Sequence, residues 1–123
     1  MARRKVNPGD TVYLLVEHRY YVNGRAAPLF EYRIVKGTVV ELILGGYTQA
    51  KVRTVEDGIV CLHYPNVAGF GKTFFADYES AVEYGEFVAK KYDDTWSGIN
   101  GETIRRPWRE EANSKLERNL NKT

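Results

Sequence analysis

A chain of 123 residues, 43% hydrophobic and 28% charged, has the length of one domain and a composition that excludes the disordered class. The net charge of +2 is too small to mark a nucleic-acid binder by itself, and no apolar run approaches the ~20 residues of a membrane span. Cys61 is the single cysteine, which excludes an internal disulfide and points to an intracellular, cytoplasmic location.

The basic start Arg3-Arg4-Lys5 meets no apolar stretch before Asn7-Pro8-Gly9, so it does not read as a signal peptide. Charge is unevenly placed along the chain. Residues 1–76 hold 10 Lys+Arg against 6 Asp+Glu, residues 77–102 hold 2 against 7, and residues 103–123 hold 6 against 3. An acidic block between two basic ones is the mark of a solvated helix face, or of separate surfaces for separate partners.

Short apolar strands punctuated by glycine turns fill the chain up to residue 76. Asn7-Pro8-Gly9-Asp10 is a turn, because Pro fixes φ at one position and Gly admits positive φ at the next. A first strand over 11–17 follows. Asn23-Gly24 is a type I′ hairpin signal, and Pro28 interrupts the returning strand, which resumes over 30–35. Lys36-Gly37 predicts a bulge or bend, since strand residues continue directly over 38–44. Gly45-Gly46 turns the chain into a strand over 47–55. There Ala50, Val52 and Thr54 alternate with Lys51 and Arg53, giving one wet face. Asp57-Gly58 is the next tight turn. A fourth strand runs over 59–64, and after a loop a short fifth one runs over 72–75.

From Tyr78 to about Tyr92 the period changes to that of a helix. Asp77 is its N-cap, poised to accept from the amide of Glu79 or Ser80. Tyr78, Ala81, Val82, Gly85, Val88, Ala89 and Tyr92 form the apolar stripe, with Tyr84 and Phe87 widening it. Gly85 on that stripe implies close approach to another element, since Gly costs about 1 kcal/mol in a helix interior. Beyond Asp93-Asp94 the order weakens. Trp108, Ala112, Leu116 and Leu120 recur every four residues after Pro107, a stripe too thin for a helix stable alone.

No catalytic set assembles from these residues. Asn66 to Thr73 ends like a phosphate-binding loop, but Asn66 stands where the first Gly is required and Phe74-Phe75 follows where a helix should begin. Cys61 and His63 share one face of a strand, yet three Cys and His residues in the chain are too few for a structural zinc site, and i, i+2 strand spacing does not bring an imidazole onto a thiol. The pair is read as structural, with no metal and no cofactor.

Two basic clusters remain, Arg3-Arg4-Lys5 and Arg105-Arg106-Pro107-Trp108-Arg109. Arg and Trp are residues of binding hot spots, so Arg105, Arg106, Trp108 and Arg109 are the predicted partner-binding set. Arg3, Arg4, Lys5, Tyr20, Tyr21 and Arg53 form the alternative, a nucleic-acid-binding set in which strand aromatics stack bases and basic groups meet phosphates.

The opening Pro8-Gly9-Asp10-Thr11-Val12-Tyr13, followed by several short strands, resembles that of SH3-like barrels, including those of the KOW type. The block from Lys72 to Ala81 is similar to a strand-to-helix cap in small phage and mobile-element proteins. The resemblance covers roughly residues 8–92 and implies a small accessory protein that modulates a host factor. The expectation is therefore an α+β fold: an SH3-like antiparallel β-barrel closed by one amphipathic helix over residues 1–92, and an extended or weakly helical tail over 93–123. The expected function is a non-enzymatic binding or regulatory module acting through protein–protein contacts, the alternative being a nucleic-acid-binding barrel.

Overall fold

Glycine turns and alternating apolar positions set the strands, and the strands assemble into one five-stranded antiparallel sheet. The structure is a computed structural model that describes residues 6–21, 23–24, 29–100 and 104–109. Its strands are β1 (Thr11–Tyr20), β2 (Leu29–Ile43), β3 (Gln49–Glu56), β4 (Ile59–His63) and β5 (Phe74–Phe75), followed by the helix α1 (Tyr78–Asn100). A 3-10 turn, Val67–Gly69, stands between β4 and β5.

The strand order β4-β3-β2-β1-β5 leaves β4 and β5 as edges, so the sheet is not closed into a barrel. This corrects the expected closed barrel. Closure needs the terminal strands to pair. Here β5 has two residues, held to β1 by Tyr13 opposite Phe75 and Leu14 opposite Phe74, and β4 lies at the far edge. The bulge is also displaced from the expected Lys36-Gly37. The β2–β3 register slips between Val39 and Glu41, so Val40 is the extra residue. Gly37 serves a different end. A Cβ there would stand 2.6 Å from Val52 Cγ1 and 2.8 Å from Thr54 Cγ2, so β3 approaches β2 too closely for any side chain.

The described residues fall into two compact units, one within Met1–Leu15 and Ile34–Tyr84, the other within Val16–Arg33 and Gly85–Thr123. In the first, the Asn7–Asp10 turn is locked by the Asn7 amide donating to Asp10 Oδ2 at 2.8 Å. The Gly9 amide donates to the Val39 carbonyl, and the Val39 amide to that of Asp10, at 2.8 and 2.9 Å. Val12, Val39, Val52 and Phe74 are almost fully buried, each worth about 1.5–3 kcal/mol of transfer free energy. The predicted alternation in β3 holds: Ala50, Val52 and Thr54 are buried, Lys51 is half-buried, and Arg53 is exposed. Tyr13 meets Tyr78, and Phe75 meets Tyr84, as aromatic pairs.

Helix α1 begins as the sequence predicts. Asp77 caps it, accepting from the Ser80 amide at 2.8 Å and from the Ser80 hydroxyl at 2.9 Å. Ala81 and Ala89 are buried to 1% and 0%, while Phe87 is exposed and does not widen the stripe. The helix continues eight residues past the expected Tyr92, so the expected boundary at residue 92 falls inside it. Lys90 and Asp94 pair across one turn at 2.8 Å, and Thr95 Oγ1 donates to the Lys91 carbonyl. In the second unit Tyr32 meets Tyr92 edge-on, and Arg19 lies over the Phe30 ring at 5.4 Å.

Candidate functional site

The four residues predicted to bind a partner all make contacts within the second unit. Trp108 is 4% exposed, and its indole Nε1 donates to Glu86 Oε2 at 2.7 Å. Arg109 forks onto both Glu86 oxygens, with Nε at 2.7 Å from Oε2. Arg106 Nη2 donates to Asp93 Oδ2 at 2.7 Å, and the Ile104 amide to Asp93 Oδ1 at 2.8 Å. Arg105 reaches Glu31 at 3.5 Å, a carboxylate 3% exposed that Arg33 also contacts. Residues 104–109, expected as tail, thus lie against α1 with a helical turn at 107–109, and Ile104 and Trp108 join the buried apolar set.

Two acidic residues of α1 answer this segment, Glu86 taking Trp108 and Arg109 and Asp93 taking Arg106, while Arg105 goes to Glu31 of β2. The Arg109 hydrogen bonds hold the Glu86 carboxyl below its ordinary pKa; partial burial opposes this, and the Trp108 hydrogen bond and the Arg109 and Arg106 charges add to it. Asp93, beyond which order was expected to weaken, is the acceptor that ties Ile104 and Arg106 to the helix.

Of the nucleic-acid-binding set, Arg3, Arg4, Lys5 and the Tyr20 side chain lie outside the described residues. Tyr21 is 71% exposed and belongs to the second unit, whereas Arg53 is exposed on β3 in the first, opposite Leu62 of β4. Ala112, Leu116 and Leu120 also lie outside the described residues.

Cys61 and His63 do point to one side of β4, and the structure adds a third member that the sequence did not suggest. Glu56, at the end of β3, accepts from His63 Nε2 at 2.6 Å and from Thr54 Oγ1. Burial works to raise the Glu56 carboxyl, but hydrogen bonds from Thr54 and His63, the His63 charge and Cys61 outweigh it, and the group lies below its ordinary pKa. The Cys61 thiol is pushed up by desolvation and then by the neighbouring Glu56 charge, the reverse of an activated nucleophile. Among the described residues no group of His, Cys, Asp and Glu is arranged to hold a metal ion.

The β3–β4 hairpin carries a run of open apolar side chains in the first unit. Its turn, Asp57 at φ 53° and Gly58 at φ 80°, is the two-residue type that the Asp-Gly signal predicts. The register sets Val55 opposite Val60, and Arg53 opposite Leu62, on one face. Val55, Val60 and Leu62 are 59%, 53% and 45% exposed there, with Ile59 and Tyr64 exposed beside them. Among the described residues β4 pairs on one side only. Sequence reading missed this surface because β4 looks like an interior strand. Nothing local to β4 marked it as an edge, since it lacks the Lys, Pro or acidic guard that edge strands normally carry.

An open depression of about 350 Å³ lies among Gly71, Lys72, Phe75, Ser80, Glu83 and Tyr84. The neighbouring loop, which ends like a phosphate-binding motif, turns its donors inward: the Lys72 and Thr73 amides and the Thr73 hydroxyl all meet the Gly69 carbonyl. No helix among the described residues is long and apolar enough to cross a membrane. Compared with known proteins, the chain matches no family model, no curated protein and no solved structure.

Proposed function

We propose that this chain is a non-enzymatic binding module that works through protein–protein contacts, and that the β3–β4 hairpin is its contact surface. The observation that carries the reading is the row of Val55, Val60 and Leu62, three apolar side chains 45–59% open to water on one face, beside a strand edge unpaired among the described residues. Water makes such a row costly to leave open, and contiguous apolar surface on a small domain is a mark of interaction sites. The fold in this reading is an SH3-like sheet left open at β4, with the short β5 returning to β1 after a 3-10 turn. Under the same reading the module acts as an accessory protein that modulates a host factor by occupying it. Arg106, Trp108 and Arg109 serve it by holding α1, where their partners are Glu86 and Asp93, and Arg105 by reaching Glu31 of β2.

Capture of partners from a cell extract by the full chain, with and without nuclease, tests the reading against nucleic-acid binding. The expected result is a protein retained by wild type after nuclease and at about 0.5 M salt, and lost with Leu62→Lys, since an apolar contact is weakly screened. A partner lost on nuclease treatment or at high salt, and indifferent to Leu62→Lys, would overturn it.

A further inference from the structure

We infer that the partner of the β4 edge is a second copy of this chain, joined antiparallel about a two-fold axis through Cys61. The inference rests on the proposal that the hairpin is a contact surface, and it names the occupant of its edge.

The hydrogen-bonding groups decide the register. A two-residue turn closes on a hydrogen-bonded pair, here Glu56 with Ile59. Pairing alternates from there, so Cys61 and His63 also bond toward β3, while the amides and carbonyls of Val60 and Leu62 point to the open edge. Centring an antiparallel copy on Cys61 sets each Val60 opposite the other copy's Leu62. All four edge-pointing residues of the two strands then exchange backbone hydrogen bonds. The two Cys61 residues face each other as a non-hydrogen-bonded pair, the closest side-chain spacing in such a ladder.

The side chains agree with that register. On the outer face one row reads Val55, Val60, then Leu62 and Arg53 of the second copy, so the apolar row is continuous across the joint. Charge agrees as well. Beyond the Glu56–His63 pair inside each hairpin, the turn carries the acidic Asp57 and the other end the basic Lys51 and Arg53. Antiparallel pairing sets the acidic turn of each copy beside the basic end of the other; parallel pairing would set like beside like. β4 itself carries no Lys, Pro or acidic residue to repel a copy.

Sedimentation equilibrium of the full chain, across a concentration series, reads the association directly. Wild type is expected to move from the monomer mass to twice that mass as concentration rises. Val60→Lys is expected to weaken association by about tenfold or more, since it removes a cross-strand apolar pair in each half of the joint. Diamide at mildly alkaline pH should link wild type through Cys61. Two thiols then give one S–S bond, and their two protons and two electrons pass to the diamide. Circular dichroism and thermal melting of dilute samples establish that the variant is folded. A chain monomeric at every concentration would overturn the inference, as would a dimer that Val60→Lys leaves unchanged and diamide does not link. A monomeric wild type that still captures a different protein through Leu62 would overturn it too, while leaving the contact-surface proposal standing.

Discussion

The Trp108 indole nitrogen donates to Glu86 across 2.7 Å, and the same carboxylate takes the fork of Arg109. One acidic side chain of α1 thereby holds two groups that, in sequence, look like free docking residues. Removing the ring leaves a cavity where a residue 4% exposed had stood. Trp108→Ala is expected to cost about 3 kcal/mol in urea unfolding, and truncation after Asp94 to lower the melting temperature well beyond a few degrees. A tail that docked only on a partner would show almost no change in either measurement.

Acid should weaken the protein through the same carboxylate. The Glu86 pKa is lower in the folded chain than its ordinary value, first because of the Arg109 hydrogen bonds. A depressed carboxyl contributes stability that is fully present above the ordinary carboxylate pKa and is lost as pH falls through the folded pKa. Glu56 is depressed too and acts in the same direction. Unfolding free energy is therefore expected to fall from about pH 5 downward. Glu86→Gln should be less stable than wild type at neutral pH and show a shallower decline in acid. Parallel curves for the two proteins would separate Glu86 from the effect.

Gly37 and Gly46 make a matched pair for the packing of the first unit. A Cβ at Gly37 meets Val52, Thr54 and the Arg53 carbonyl at 2.6–3.0 Å, while one at Gly46 meets nothing within 4 Å. Gly37→Ala is expected to cost about 1–3 kcal/mol or more as β2 and β3 are forced apart, and Gly46→Ala less than about 0.5 kcal/mol. Equal losses in chemical denaturation would mean that β2 and β3 are not in this close contact.

Local signals were the legible part of the sequence. Asp57-Gly58 named its turn, the alternation of β3 named its buried face, and Asp77 named the start of α1, because each depends on residues within a few positions. Sheet closure and edge position were not legible, since they depend on which distant strands pair; β4 was therefore read without its edge. The site was harder still. Trp108 and Arg109 carry the composition of a hot spot, and only the spatial neighbourhood of Glu86, more than twenty residues away, shows what they contact. Glu56 entered the Cys61–His63 cluster in the same way, through a hairpin that folds it back onto His63.

Amide hydrogen exchange, read residue by residue on the dilute, monomeric chain and on the chain with its edge occupied, by a second copy or by a captured protein, tests the contact surface most directly. Slowed exchange is expected at Val60 and Leu62, whose amides point to the open edge, with residues 104–109 protected equally in both states. Protection that appears on binding at Arg105, Arg106, Trp108 and Arg109, with the β4 amides unchanged, would contradict the hairpin as the contact surface and return docking to the tail.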